Sequence, residues 1–228
     1  MDELRRHPWR KIVQSDIADV AIPVDEECAQ WEALDAAIAA MGTVSHGQIN
    51  LEEARSHALA LLGQTKDLRV MAHLLRTLQH GRKPQEIALA LLLFADYCER
   101  FWAAAAPQAR AKLRLLKLIL QRFSQAQEMF SQSSTAVERE VALESLERVR
   151  AALAAHQAPT EDIDPLRHAF AQAAARQSDA APLPGTPARQ APPAPRPGDG
   201  GSASPETAPA PAVAINMAND LEWKRTLI

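Results

Sequence analysis

The stretch GQTKDLRVMAHLLRTL, residues 63–78, combines a charge cluster with a helical pattern of apolar residues. Gly63 is suited to end a preceding helix, Thr65 is a plausible N-cap, and Asp67 lies where a helix dipole favours a carboxylate. The pattern predicts a helix over about residues 66–79. On a helical wheel, the inward face of this helix consists of Leu68, Met71, Ala72, Leu75 and Leu78.

Two further apolar residues of this helix, Val70 and Leu74, lie off the inward face, so we expect neighbours on more than one side. The opposite face of the wheel is cationic. Because charged helix faces are usually solvated, a solvated surface is the simpler interpretation, and a docking stripe for an acidic partner is the alternative. This face consists of Lys66, Arg69, His73, Arg76 and His80.

Two helices are predicted before this stretch. The first covers residues 25–41, with Asp25 as its cap and Gly42 at its end. The second covers residues 51–62, with the capping box Asn50-x-x-Glu53 at its start. Apolar residues recur at helical spacing in the first helix and predict a buried stripe of Cys28, Trp31, Leu34, Ile38 and Met41.

Four more helices are predicted after it. Pro84 begins one, Pro107 begins another that runs to about residue 131, Thr135-x-x-Glu138 caps a third, and Asp164-Pro165 begins a short last one. No strand or hairpin signal accompanies them, so we expect an all-α bundle of about six or seven antiparallel helices. Their predicted core residues are Ile87, Leu91, Phe94, Cys98, Phe101, Leu113, Leu116, Leu120, Phe123, Phe130, Leu166 and Phe170.

The helix that follows Pro107 carries a second cationic stripe, formed by Arg110, Arg114 and Lys117. Leu118 and Met129 fall toward the edges of its polar face, where exposed apolar groups could join a partner surface. Without interleaved aromatic residues, such stripes are weak indications of nucleic-acid binding. They fit contact with a protein partner better, although solvation remains the simpler interpretation.

Composition agrees with a helical, reduced and soluble protein. Apolar residues make up 47% of the 228, but aromatic residues only 4%, and Ala and Leu fit helices better than strands. The net charge of −3 gives no basic footprint for nucleic acid. Cys28 and Cys98 are expected as buried thiols, since two distant cysteines do not make a disulfide framework. With neither a signal peptide nor an apolar run of about 20 residues, a cytoplasmic location is expected.

Residues 178–212 differ sharply in composition from the rest, because 26 of these 35 positions are Pro, Ala, Gly or Ser. Such a segment predicts a disordered linker. After it, the capping box that begins at Asn219 predicts a helix that stops with the chain. We therefore expect a helical domain over residues 1–177, a linker over 178–212, and the truncated start of a second helical domain over 213–228.

Sequence motifs of catalysis are missing from the 228 residues: there is no glycine-rich phosphate loop and no G-x-S-x-G elbow. Glu53 and His57, one helical turn apart, are the best candidates for a metal pair. A Glu–His pair at this spacing is ordinarily a surface contact, and no H-E-x-x-H spacing supports a ligand set. No enzyme activity and no cofactor is expected, and a metal-dependent enzyme is the least favoured hypothesis.

Several of these residues resemble the ImpA-type N-terminal domain of the TssA proteins of bacterial type VI secretion, in the branch called VasJ or VasL. The likeness rests on Lys66, Asp67, Leu68 and Arg69 before an apolar helix, on ADYCERFWAAAAP at 95–107, and on LEWKRTLI at 221–228. It departs from the family at residues 22–27, IPVDEE, where the glycine of a P-x-G-x-D turn is missing, and at Ile49-Asn50, where the family often has a tryptophan.

The resemblance implies a non-enzymatic assembly protein that helps to organise the baseplate, the membrane complex or the tail sheath. Its expected partners are protein components of that machine, and it implies ring oligomers only with a C-terminal domain that this chain lacks. The candidate partner-binding residues are Lys66, Arg69, His73, Arg76, Arg110, Arg114 and Lys117. The alternative from another class is a helical nucleic-acid-binding or regulatory domain that uses the same cationic faces.

Overall fold

A computed structural model describes residues 3–41 and 49–179, the last seven of these by backbone alone. Within those residues the chain forms eight helices and no strand, which confirms the all-α prediction. The helices are α1 (Pro8–Gln14), α2 (Ala29–Ala40), α3 (Leu51–Leu62), α4 (Leu68–His80), α5 (Pro84–Phe101), α6 (Ala109–Ser133), α7 (Ala136–Ala155) and α8 (Ile163–Asp179).

Helix α5 lies at the centre of the bundle. All twelve residues from Ile87 to Cys98 are buried, and the helix packs against α1, α4, α6 and α7. A helix that is apolar on every side can bury its side chains only when other helices surround it. The sequence IALALLLFADYC therefore accounts for its central position. Asp96 is the one charged residue within this run.

Helix α4 is the second buried helix, because α2, α3, α5 and α6 all contact it. Its predicted inward residues are buried, and so are Val70 and Leu74, which confirms the expectation of neighbours on more than one side. On the remaining side of the molecule, α6 packs against α8, and α8 packs against α7. Leu166 and Phe170 of α8 are buried as predicted, with the Phe170 ring 5.0 Å from that of Phe130.

Two capping predictions are confirmed. The Asn50 side chain accepts a hydrogen bond of 3.2 Å from the backbone N–H of Glu53 at the start of α3. At the start of α7, Thr135 and Glu138 form the complete reciprocal capping box. Gly63 is the C-cap of α3, also as predicted. These ends could be predicted because each depends on residues at most four positions apart.

Three helix starts differ from the prediction. Helix α2 begins at Ala29 after Cys28, because Asp25 instead accepts a hydrogen bond from the N–H of Glu27 in a turn outside the helix. As a result Cys28 is only half-buried, whereas Cys98 is fully buried. Helix α6 begins two residues after Pro107, with Gln108 as its N-cap. The N-cap of α4 is Asp67 rather than Thr65.

Helix α1 was not predicted from the sequence, because its seven residues, PWRKIVQ, show no clear apolar period. The predicted end of the first helix at Gly42, most of the predicted linker, and the predicted helix after Asn219 lie outside the described residues. Residues 178 and 179, assigned to the linker from composition, belong to α8. Among the described helices, none is long and apolar enough to cross a membrane.

Candidate functional site

The charge cluster at the start of α4 lies inside the protein. Lys66 and Asp67 are fully buried, and Arg69 is 9% exposed. We call residues 65–69 the 65–69 motif. The prediction that Lys66 and Arg69 face outward is wrong, since the ends of α1 and α3 enclose Lys66, whereas α2 and the segment before it cover Arg69.

The Lys66 side chain joins the ends of two helices. Its Nζ donates hydrogen bonds to the carbonyl oxygens of Leu62, at 2.7 Å, and Ile12, at 3.0 Å, and to Ser15 Oγ at 3.2 Å. Both carbonyls lie in the last turns of their helices, where the dipole favours a cation. The ammonium also lies 5.1 Å from the centre of the Phe101 ring. Burial lowers the pKa of Lys66 to about 8.

Asp67 and Arg69 form hydrogen bonds with the segment that precedes α2. An Asp67 carboxylate oxygen accepts from the N–H of Arg69 at 2.8 Å, which caps α4, and the other accepts from the N–H of Val24 at 3.1 Å. The Arg69 guanidinium binds the same carboxylate through Nε and Nη2, contacts Glu26, and lies 5.5 Å from the Trp31 ring. The carboxylates raise the pKa of Arg69 against the effect of its burial.

The remaining polar groups of the 65–69 motif also bind distant parts of the chain. Thr65 Oγ1 donates to the carbonyl of Ile22 at 2.6 Å, and Tyr97 OH donates to the carbonyl of Lys66 at 2.6 Å. The N–H of Leu68 donates to the carbonyl of Ala106 at 2.8 Å. The motif thereby connects α1, α3, α5, the segment before α2 and the α5–α6 connection. Its geometry suits a structural junction.

His73 and Arg76 complete the cationic face predicted for α4. His73 is 5% exposed, with its ring stacked on that of Trp31 at 5.0 Å and its Nε2 3.6 Å from Asp35 Oδ1. Burial lowers the pKa of His73 although Asp35 acts to raise it. The outward orientation predicted for His73 is therefore also wrong, while Arg76 and His80 are half-buried.

The second cationic stripe has the predicted exposure. Arg110, Arg114 and Lys117 are all exposed, and they form no ion pair with the described residues. Leu113, predicted to point inward, is instead 40% exposed, because the first turns of α6 border an open surface. Leu118 and Met129 are half-buried, in agreement with their predicted position at the edge of the polar face.

Two cavities border α6 on this side. One, of about 860 Å³, lies between the start of α6, residues 102–107 of the α5–α6 connection and residues 156–159 of the α7–α8 connection. The other, of about 420 Å³, lies between α6 and α8. Among the residues that α6 contributes, Leu113, Lys117, Gln121 and Ser124 recur every three or four positions, so they share one face. We call the surface along the two cavities the α6 furrow; α6 and its N-cap line it with Gln108, Ala109, Lys112, Leu113, Lys117, Leu120, Gln121 and Ser124.

An ionic cluster around the buried Asp96 was not predicted from the sequence. Asp96 of α5 is 1% exposed and binds Arg10 of α1 at 2.6 Å and Arg148 of α7 at 2.7 Å; Arg148 also binds Glu99. The two carboxylates raise the pKa of Arg148. The one local signal was a carboxylate within the apolar run of α5, which requires a buried partner.

The candidate metal pair is an ordinary helix contact. Glu53 Oε1 lies 3.8 Å from His57 Nε2 on α3, with both side chains partly exposed. Within the described part of the chain, no three His, Cys, Asp or Glu side chains come together as a metal-binding group. Cys98 is buried, and burial raises the pKa of its thiol, which disfavours a nucleophilic thiolate.

Comparison with known proteins gives one match. The model of the family described as ImpA, N-terminal, type VI secretion system, matches residues 18–146, more than half of the 228. The chain belongs to this family. Neither the search of curated proteins nor the search of solved structures found a match.

Membership of the ImpA N-terminal family makes this chain a component of a type VI secretion system. The matched residues include the whole 65–69 motif, the cationic stripe of α6, and Asp96 and Glu99 of the ionic cluster, whereas Arg10 and Arg148 lie outside the match. The match ends within α7, so α8 and one wall of the α6 furrow lie beyond it. The residues that first carried the likeness to the family form the structural junction around Lys66 and Asp67.

Proposed function

We propose that this chain is a non-enzymatic assembly protein of the TssA type, acting in the cytoplasm as an interaction module of the secretion machine. In this role it helps to organise the baseplate, the membrane complex or the tail sheath. It acts by binding protein components of the machine, with no chemical step of its own.

The family match over residues 18–146 is the observation that carries this proposal. The contacts and exposure of the charged side chains also support the proposal. In the described residues, the strongest charge clusters, around Asp67 and Asp96, are occupied by contacts within the chain. The cations of α6 are exposed, form no ion pair with the part of the chain that the structure describes, and lie on an open surface suited to recognition of another protein.

Co-purification tests the proposal. The tagged full chain is expressed in a bacterium that assembles a type VI secretion machine, and components of the baseplate, membrane complex, sheath and tube are quantified by mass spectrometry. We expect one or more of these components to co-purify, and deletion of the protein to reduce sheath assembly seen by fluorescence microscopy.

A tagged protein of similar size and charge serves as the control for non-specific capture. The proposal fails if no machine component is enriched over this control and deletion leaves the number of assembled sheaths unchanged.

A further inference from the structure

We propose that the α6 furrow binds an acidic amphipathic segment of a protein partner. This inference rests on the proposed function, since it assigns a surface and a partner chemistry to the interaction module. Three properties of the furrow support it: exposed apolar groups, cations without an ion pair in the described residues, and carboxylates on the far wall.

Exposed apolar side chains concentrate at the furrow. Leu113 and Ile22 are the large apolar residues most exposed in the described part of the chain, at 40% and 52%. Leu113 lines the larger cavity, and Ile22 lies between Ala21 and Pro23, which also line it. The exposed alanines Ala103 and Ala104 line it too and add further apolar surface. Such a concave apolar surface favours an apolar ridge on a partner.

The cations border the same surface. Arg110, Arg114 and Lys117 lie one turn apart along α6, over a rise of about 10 Å. Elsewhere in the bundle, the exposed Arg100 and the half-buried Arg150 and Arg167 bind carboxylates of the chain itself. These three cations form no ion pair within the described residues, and they therefore match a partner helix with carboxylates at i, i+4 and i+7.

The far wall of the furrow gives the segment an orientation. Glu161 and Asp162 of the α7–α8 connection are exposed, and Asp162 lines the smaller cavity. Carboxylates of a bound segment are repelled there and attracted at α6, so its acidic side faces α6 and its apolar ridge faces Leu113.

These features favour a protein segment over a nucleic acid. Three cations are fewer than the roughly six to ten phosphate contacts of a strongly salt-dependent nucleic-acid complex. Trp102 is 6% exposed, so it does not offer a face on which a base could stack. Glu161 and Asp162 would repel a phosphate backbone as well.

The test uses a designed peptide and the full 228-residue chain. The probe is a fluorescein-labelled helical peptide of about 18 residues, five turns, with leucines on one face and glutamates beside them. A peptide of the same composition with scattered leucines is the first control, and a labelled single-stranded oligonucleotide is the second. Fluorescence anisotropy at low salt measures the three affinities, and we expect the amphipathic peptide to bind most tightly.

Matched charge reversals locate the binding surface. The variant Arg110→Glu/Arg114→Glu alters the furrow, whereas Lys11→Glu/Arg82→Glu changes the net charge equally at exposed positions elsewhere. We expect the furrow variant to bind the peptide about tenfold more weakly or worse, and the control variant to bind as wild type does. Leu113→Ser should weaken binding several-fold. All of these positions are exposed, so circular dichroism should show the folded helical content unchanged.

Equal losses in the two double variants overturn the proposal, as does equal binding of the scattered-leucine peptide or tighter binding of the oligonucleotide. Two combinations of results distinguish a failure of the furrow proposal from a failure of the proposed function. If machine components co-purify equally with wild type and with Arg110→Glu/Arg114→Glu, and the peptide does not bind, the furrow is refuted and the assembly role stands. If the peptide binds as expected but no component co-purifies, the assembly role is refuted and the furrow stands.

Discussion

The cationic residues of α4 and those of α6 recur at similar helical spacing, yet the first set is mostly inside the bundle and the second is on its surface. Lys66, Arg69 and His73 are at most 9% exposed, whereas Arg110 and Lys117 are exposed. Periodicity places charges on the face opposite the local apolar stripe. It does not tell whether a second layer of the protein covers that face.

Two local signals distinguish the two helices. Helix α4 carries Val70 and Leu74 outside its main apolar face, and a carboxylate, Asp67, lies two residues before its first arginine. In α6 the first carboxylate is Glu128, far from the cationic stripe. Apolar residues on a second face together with a neighbouring counter-charge indicate a buried cationic face, because buried charges require partners.

We expect the largest loss of stability from a substitution at Asp67. Replacing Asp67 by Ala removes the N-cap of α4 and leaves Arg69 buried beside an empty space. We expect a loss of about 3–5 kcal/mol in the free energy of unfolding, measured by urea denaturation followed by circular dichroism. Arg114→Ala is the matched control on α6 and should change the free energy by about 0.5 kcal/mol or less. Equal effects of the two substitutions would remove the distinction between the faces.

A pair of lysine substitutions tests the same contrast in stability, with a smaller expected loss. Lys66→Met keeps the apolar length of the side chain but leaves the carbonyls of Ile12 and Leu62 without their donor. The expected cost in unfolding free energy is about 2–3 kcal/mol. Lys117→Met, on the exposed face, should cost less than about 0.5 kcal/mol. A stable Lys66→Met variant would show that these carbonyls find other partners.

A pH dependence is a further expected effect. Burial lowers the pKa of Lys66 from 10.5 to about 8, so below pH 8 the ammonium is protonated in both the folded and unfolded states. Between about pH 8 and 10.5 the unfolded state binds more protons at this site, and stability therefore rises with pH. The difference in unfolding free energy between wild type and Lys66→Met should increase over this window. A constant or decreasing difference would contradict the lowered pKa of Lys66.

Much of the fold could be predicted from local sequence. The starts of α3 and α7, the central position of α5 and the double-sided burial of α4 all follow from residues a few positions apart. The Asp96 cluster could not be predicted in this way, because it joins residues separated by 86 and 52 positions. Its partners depend on how helices pack, which local periodicity does not specify.

The site was predicted less completely for the same reason. The exposure of Arg110, Arg114 and Lys117 agrees with the wheel, since α6 has an open side. Lys66 and Asp67 precede the first residue of α4, so a helical wheel does not apply to them. Whether the α6 residues bind a partner stays a prediction.

Residue-resolved amine labelling tests the contrast between the two cationic faces most directly. The native chain is treated briefly with an amine-reactive acylating reagent near pH 8, and modified lysines are quantified by mass spectrometry. Lys117 and Lys11 are exposed and should react rapidly, whereas Lys66 should react only after denaturant unfolds the bundle. The lowered pKa of Lys66 would make it more reactive if it were accessible, so its protection reports burial alone. Labelling of Lys66 in the native chain as fast as that of Lys117 would contradict the account.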